Sequence, residues 1–164
     1  MSPRLRDLPN DERARLSAGF VLKLRALVED HMTSHAVAAN GPSRGERRAA
    51  KKASRAEFSD LLDALKALGL SEREARVTAL AAYESASRTN PPISDIDSLR
   101  VVAGSASTAI LNSLHAGGYL DLEEAVGYMK EQSPDNAGRA IDERRRAVAT
   151  ARKERAQRDR RLPG

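Results

Sequence analysis

The sequence has 164 residues and contains neither cysteine nor tryptophan. Without cysteine there is no disulfide framework, no thiolate metal site and no thiol nucleophile. Aromatics are confined to Phe20, Phe58, Tyr83, Tyr119 and Tyr128. Because aromatic side chains normally supply the largest buried areas, Ala, Leu and Val must fill the core, and such small residues favour closely packed helices. No apolar run reaches the roughly 18 residues needed to cross a bilayer, so no membrane span is expected. The opening MSPRLRDLPNDERAR lacks the apolar centre of a secretory signal, and a cytoplasmic location is the expectation. The length suits one compact domain with appendages.

Charge is distributed unevenly. Residues 1–55 carry 12 Lys and Arg against 6 Asp and Glu, residues 56–138 carry 6 against 13, and residues 139–164 carry 10 against 4. An acidic middle between basic ends points to a polyanionic partner for the ends, nucleic acid first. Simple solvation of the ends, or their folding back onto the acidic middle, is the plainer alternative.

Periodicity predicts helices almost throughout. The first opens at Asn10 and Asp11, and Leu16, Phe20, Leu24, Leu27 and Val28 recur three or four apart until the pattern fades near Ala38. Gly41, Pro42, Ser43 and Gly45 break it. The dense basic run Arg44, Arg47, Arg48, Lys51, Lys52 and Arg55 follows, helical or disordered, opposed only by Glu46. Phe58, Leu61, Leu62, Leu65 and Leu68 form the stripe of a helix ended by Gly69. Ser71 and Glu74 predict a capping box, opening a helix with Val77, Leu80 and Ala81 inside until Pro91 and Pro92 stop it. Ser94 is expected to cap a short helix through Leu99 and Val102 to Gly104; Ser105 opens another, with Ala106, Ile110, Leu111 and Leu114 buried, closed by Gly117 and Gly118. Tyr119 to Leu122 alternates like a short strand. The expected organisation is an N-terminal helix (1–40), a basic linker (41–56), a central domain (57–130) and a basic C-terminal helix (131–164) starting at Ser133 and Pro134.

Helix, short helix, glycine turn, helix and strand make up the order of a helix-turn-helix with the beginning of a wing. The stretch LKALGLSEREARVTALAAY, Leu65 to Tyr83, resembles the opening of the winged helix-turn-helix domain in TrmB-like and MarR-like transcriptional regulators. SASTAILNSLHAGGYLDL, Ser105 to Leu122, resembles their recognition helix and first wing strand. The resemblance implies a mostly α fold: a winged-helix-like core, a short or truncated wing because EEAVGYMKEQ after Leu122 reads as helix, and long N- and C-terminal helices. It also implies double-stranded DNA binding, transcription regulation and a homodimer built by the outer helices. A monomer in which the first helix packs on its own core fits the pattern equally.

The predicted recognition helix has no Lys or Arg, so a division of labour is expected. Ser105 and Asn112 would point outward with Thr108 and His115 on the flanks, and these four with Ser107 are the expected DNA contacts of the helix, Asn112 reading bases. Arg44, Arg47, Arg48, Lys51, Lys52 and Arg55, with Arg144, Arg145 and Arg146, would grip phosphates. The alternative is a protein-interaction or assembly module on the same fold, with a protein partner. His31 and His35, four apart, find no third metal ligand in sequence and read as surface histidines. No carboxylate motif, Walker sequence or dinucleotide glycine pattern is present, so neither catalysis nor a cofactor is expected.

Overall fold

The computed structural model describes residues 5–132 and 134–161, with side chains described for 5–132 and 145–160. After a single 3-10 turn at Leu5–Asp7, six helices follow: α1 (Asn10–Asn40), α2 (Arg44–Ala67), α3 (Glu72–Thr89), α4 (Ile96–Ala116), α5 (Leu122–Gln132) and α6 (Pro134–Arg161). No strand occurs among the described residues. The chain divides into two units, Met1–Ala125 and Val126–Gly164.

In the first unit α1 packs on α2 and α4, and α3 packs on the same two helices. The four form a closed ring in which α2 and α4 are not neighbours. Leu24 and Val28 from α1, Leu61 and Leu65 from α2, and Ile110 and Leu114 from α4 fill its centre. Helix α1 is thus part of the chain's own core.

The basic segment expected as a linker is the first half of α2. Ser43 Oγ accepts the Glu46 N–H at 3.1 Å, satisfying one free donor of the first turn; Gly45, expected to break the chain, lies inside that turn, and no further glycine or proline follows before Gly69. The break between α1 and α2 is therefore only Gly41 to Ser43.

The expected faces of α3 are reversed. Ala75, Ala79, Ala82 and Ala86 are buried, whereas Val77 and Leu80 are 59% and 51% exposed and Ala81 is exposed too. A stripe of methyl groups at helical spacing lets α3 approach Ala103 and Ala106 of α4 closely, and larger side chains have no room there. The capping box of α3 is half formed: Ser71 Oγ accepts the Glu74 N–H at 3.1 Å, but the Glu74 carboxylate accepts the Tyr119 hydroxyl instead.

The largest departure concerns the expected turn at Gly104. Helix α4 runs unbroken from Ile96 to Ala116, with Gly104 inside it. Leu99, Val102, Ala103, Ala106, Ile110 and Leu114 make one continuous buried stripe across the glycine, so burial favours helix there by more than the ~1 kcal/mol that a mid-helix glycine costs. Its N-cap is Asp95 rather than Ser94: Asp95 accepts the Ser98 N–H at 2.7 Å and Ser98 Oγ accepts the Asp95 N–H at 3.1 Å. At the other end Gly118 adopts a left-handed φ of 76°. Its N–H reaches His115 O at 3.1 Å and the Tyr119 N–H reaches Leu114 O at 2.9 Å, the paired bonds of a glycine C-cap. Tyr119 to Leu122 is therefore a turn into α5, not a wing strand.

The second unit is the end of α5 and the long polar helix α6. Its predicted start holds at Pro134, while the expected capping residue Ser133 lies outside the described residues.

Candidate nucleic-acid interface

At 100° per residue, Arg44, Arg48, Lys51 and Arg55 fall within about 60° of one another on α2, with Lys52 on the rim, along about 17 Å of helix. All five are exposed, and none makes an ion pair among the described residues. The one acid in this half, Glu46, lies on the opposite side of the helix. Arg47 differs: half-buried, it donates to Gly41 O at 2.8 Å and fastens the α1–α2 turn. The result is an unneutralised cationic ridge on a rigid element.

The residues expected to read bases are placed elsewhere. Ser107 is buried and its hydroxyl donates to Ala103 O at 2.8 Å, so the expectation that it contacts DNA is corrected. The residue falls on the stripe that α4 turns to the core. Ser105 is half-buried, while Thr108 and Asn112 are exposed, Thr108 donating to Gly104 O at 2.9 Å. His115 Nδ1 accepts the Leu122 N–H at 3.1 Å, giving this exposed histidine a local role at the start of α5. The end of α4 lies beside the C-terminal end of α2, where Leu68, Gly69, Gly117 and Tyr119 line one cavity. Helix α2 has 24 residues, a length of about 36 Å. The cationic ridge lies in the N-terminal half of α2, whereas Asn112 lies near the C-terminal end of α4, a helix that does not pack against α2. In the second unit Arg145 and Arg146 are exposed on α6, as are Arg152, Lys153, Arg155, Arg158 and Arg160; the side chain of Arg144 lies outside the described ones.

A cluster that sequence reading missed joins α1, α2 and α3. His31 packs against Phe58 and Tyr83, with ring centroids 5.2 and 5.3 Å away, and against His35 at 6.2 Å. Arg76 lies 6.0 Å over the Phe58 ring. His31 Nδ1 and Tyr83 Oη share a hydrogen bond of 2.8 Å. Burial, and secondarily the charge of His35, lowers the pKa of His31, while burial raises that of Tyr83, each shift favouring the neutral form. His31 is thus no simple surface residue, and no group of three His, Asp or Glu capable of holding a metal occurs among the described residues. Periodicity placed Phe58 on an apolar stripe, but nothing local reveals that Tyr83 reaches across to α1.

No family model, no curated protein and no solved structure matches this chain. Among the described residues, no helix is long and apolar enough to cross a membrane.

Proposed function

We propose that this protein binds double-stranded DNA, with the exposed cations of α2 held against backbone phosphates. The observation that carries this is the ridge itself: Arg44, Arg48, Lys51, Lys52 and Arg55 on one helix face with no acidic partner among the described residues. A surface helix gains nothing for its own stability from clustered like charges, which repel at these spacings. Against a polyanion the same cluster releases counterions, about 0.9 per phosphate contacted. The exposed cations of α6 supply a second, separate polycationic element. Transcription regulation through a homodimer, the role suggested by resemblance to winged-helix regulators, is the finer form of this proposal. Base readout by α4 is not part of this proposal, because Ser107 is buried and α4 does not pack against the helix that bears the ridge. Binding is accordingly expected to depend steeply on salt and weakly on sequence.

A second reading, an interaction module, is favoured by apolar side chains left more than half exposed: Leu22 at 63%, Ile96 at 60%, and Val77 and Val101 at 59%. Fluorescence anisotropy with a labelled random duplex at two salt concentrations separates the two. DNA binding predicts saturable association that weakens with salt; no association at low salt leaves the interaction module.

A further inference from the structure

Two cavities open at the end of the first unit that carries the C-terminus of α1. One, of about 440 Å³, lies between α1 and α3, lined by Met32, Ala36, Leu80, Tyr83 and Ile93 among others. The other, of about 380 Å³, lies between α1 and α2, with Ala38, Lys51, Ser54 and Arg55 in its lining. His35 and Ala39 line both, so the two adjoin across α1. Each volume falls in the ~300–1,000 Å³ range of small-molecule sites.

The sequence makes this space. From Ala36 to Ala39 the helix offers three alanines and Val37, and α3 offers Ser87. Facing helices held apart by Tyr83 and His31 therefore leave a gap that short side chains do not fill.

We propose that the joined cavities bind a linear aliphatic carboxylate, its chain in the α1–α3 chamber and its carboxylate between Lys51 and Arg55. The chemistry of each end dictates the class. In the α1–α3 chamber the polar groups of His31 and Tyr83 face each other at 2.8 Å, and although His35, Asn40 and Ser87 also line it, no acidic or basic side chain other than histidine does, so it suits the apolar part of a ligand. At the other end Lys51 and Arg55 have no acidic partner among the described residues, and an arginine fork takes a carboxylate in two parallel bonds. Glu57 turns its carboxylate into the same α1–α2 interface, where it accepts the Ser34 hydroxyl at 3.0 Å. That extra negative charge opposes a phosphate dianion more than a monoanion. An unbranched chain can lie along both cavities past the His35 and Ala39 that line each of them. Lys51 and Arg55 also belong to the cationic ridge, but binding at this site does not require that the ridge contact DNA.

The test is a ¹H–¹⁵N NMR titration of the full chain with sodium decanoate below its micelle concentration, with decanol, decyltrimethylammonium and inorganic phosphate alongside. The expected result is saturable shifts centred on Met32, Ala36, Leu80 and Ile93, with decanol and decyltrimethylammonium weaker. The double variant Lys51→Gln/Arg55→Gln, its fold verified by its own spectrum, should bind decanoate at least about tenfold more weakly, as loss of charge-assisted hydrogen bonds implies. Absence of saturable shifts, equal binding by the cationic amphiphile, undiminished binding by the double variant, or phosphate reproducing the shifts would each overturn the proposal. None of these outcomes involves DNA, so failure here is distinct from failure of the proposed function.

Discussion

Tyr83 of α3 reaches across the ring of helices to His31 of α1, hydroxyl to imidazole Nδ1 at 2.8 Å. This bond closes a cluster with Phe58 on α2 and so ties three helices at one point.

Because burial lowers the His31 pKa below its ordinary 6.5, the unfolded chain binds this proton more readily than the folded one. Stability therefore falls as pH drops through about 6.5 toward the lowered folded value, and levels off below it. Urea denaturation midpoints between pH 7.5 and 5 should show this decline, and His31→Gln should flatten it; an unchanged profile would contradict the assignment. Tyr83→Phe leaves the imidazole nitrogen without its partner and should cost about 1 kcal/mol, read from the same midpoints.

Gly104 gives a sharp test of the continuous α4. A Cβ built there meets nothing within 4 Å, and the residue has no left-handed φ. Gly104→Ala should therefore raise stability by about 0.5–1 kcal/mol. A helix-turn-helix glycine would give the opposite sign, visible as a lowered melting temperature.

The alanine face of α3 makes a paired prediction. Ala79 is fully buried, so Ala79→Leu should destabilise by about 1–3 kcal/mol through overpacking. Val77→Ser, at a side chain 59% exposed, should change stability by less than about 0.5 kcal/mol. Equal effects in thermal unfolding would return α3 to the orientation that its larger residues suggest.

These positions show what the amino-acid pattern carries and what it leaves open. Helix limits near Gly69 and Gly117 were legible because glycine stops act within a few residues, whereas α1 does start at Asn10 but with Pro9 as its N-cap and no capping side chain from Asn10 or Asp11. The orientation of α3 was not, since both of its faces are apolar and the choice is made by the short side chains of α4. Gly104 and Ser105 carry a local turn signal that the burial of Leu99, Val102, Ala106 and Ile110 overrides. For the interface, the six cations of residues 44–55 were visible as a charge run, but that five of them share a face while Arg47 turns to Gly41 required knowing that the run is helical. That Asn112 sits on a helix not packed against theirs follows from the packing order of four helices, which no local spacing encodes.

Asn112 supplies a control. It lies on α4, a helix not packed against α2, so if the α2 ridge alone holds the duplex, Asn112→Ala should leave both DNA affinity and any preference among duplex sequences unchanged in gel-shift titrations. A selective loss of preference would restore α4 as the reading helix.

The central claim is that the α2 ridge holds phosphates, and the salt dependence of duplex binding measures it most directly. Arg48→Gln/Lys52→Gln removes two ridge cations outside the carboxylate cavity, and the slope of log K against log salt should become shallower by roughly 2, at about 0.9 per contact. A slope and affinity equal to those of the unaltered chain would contradict the account.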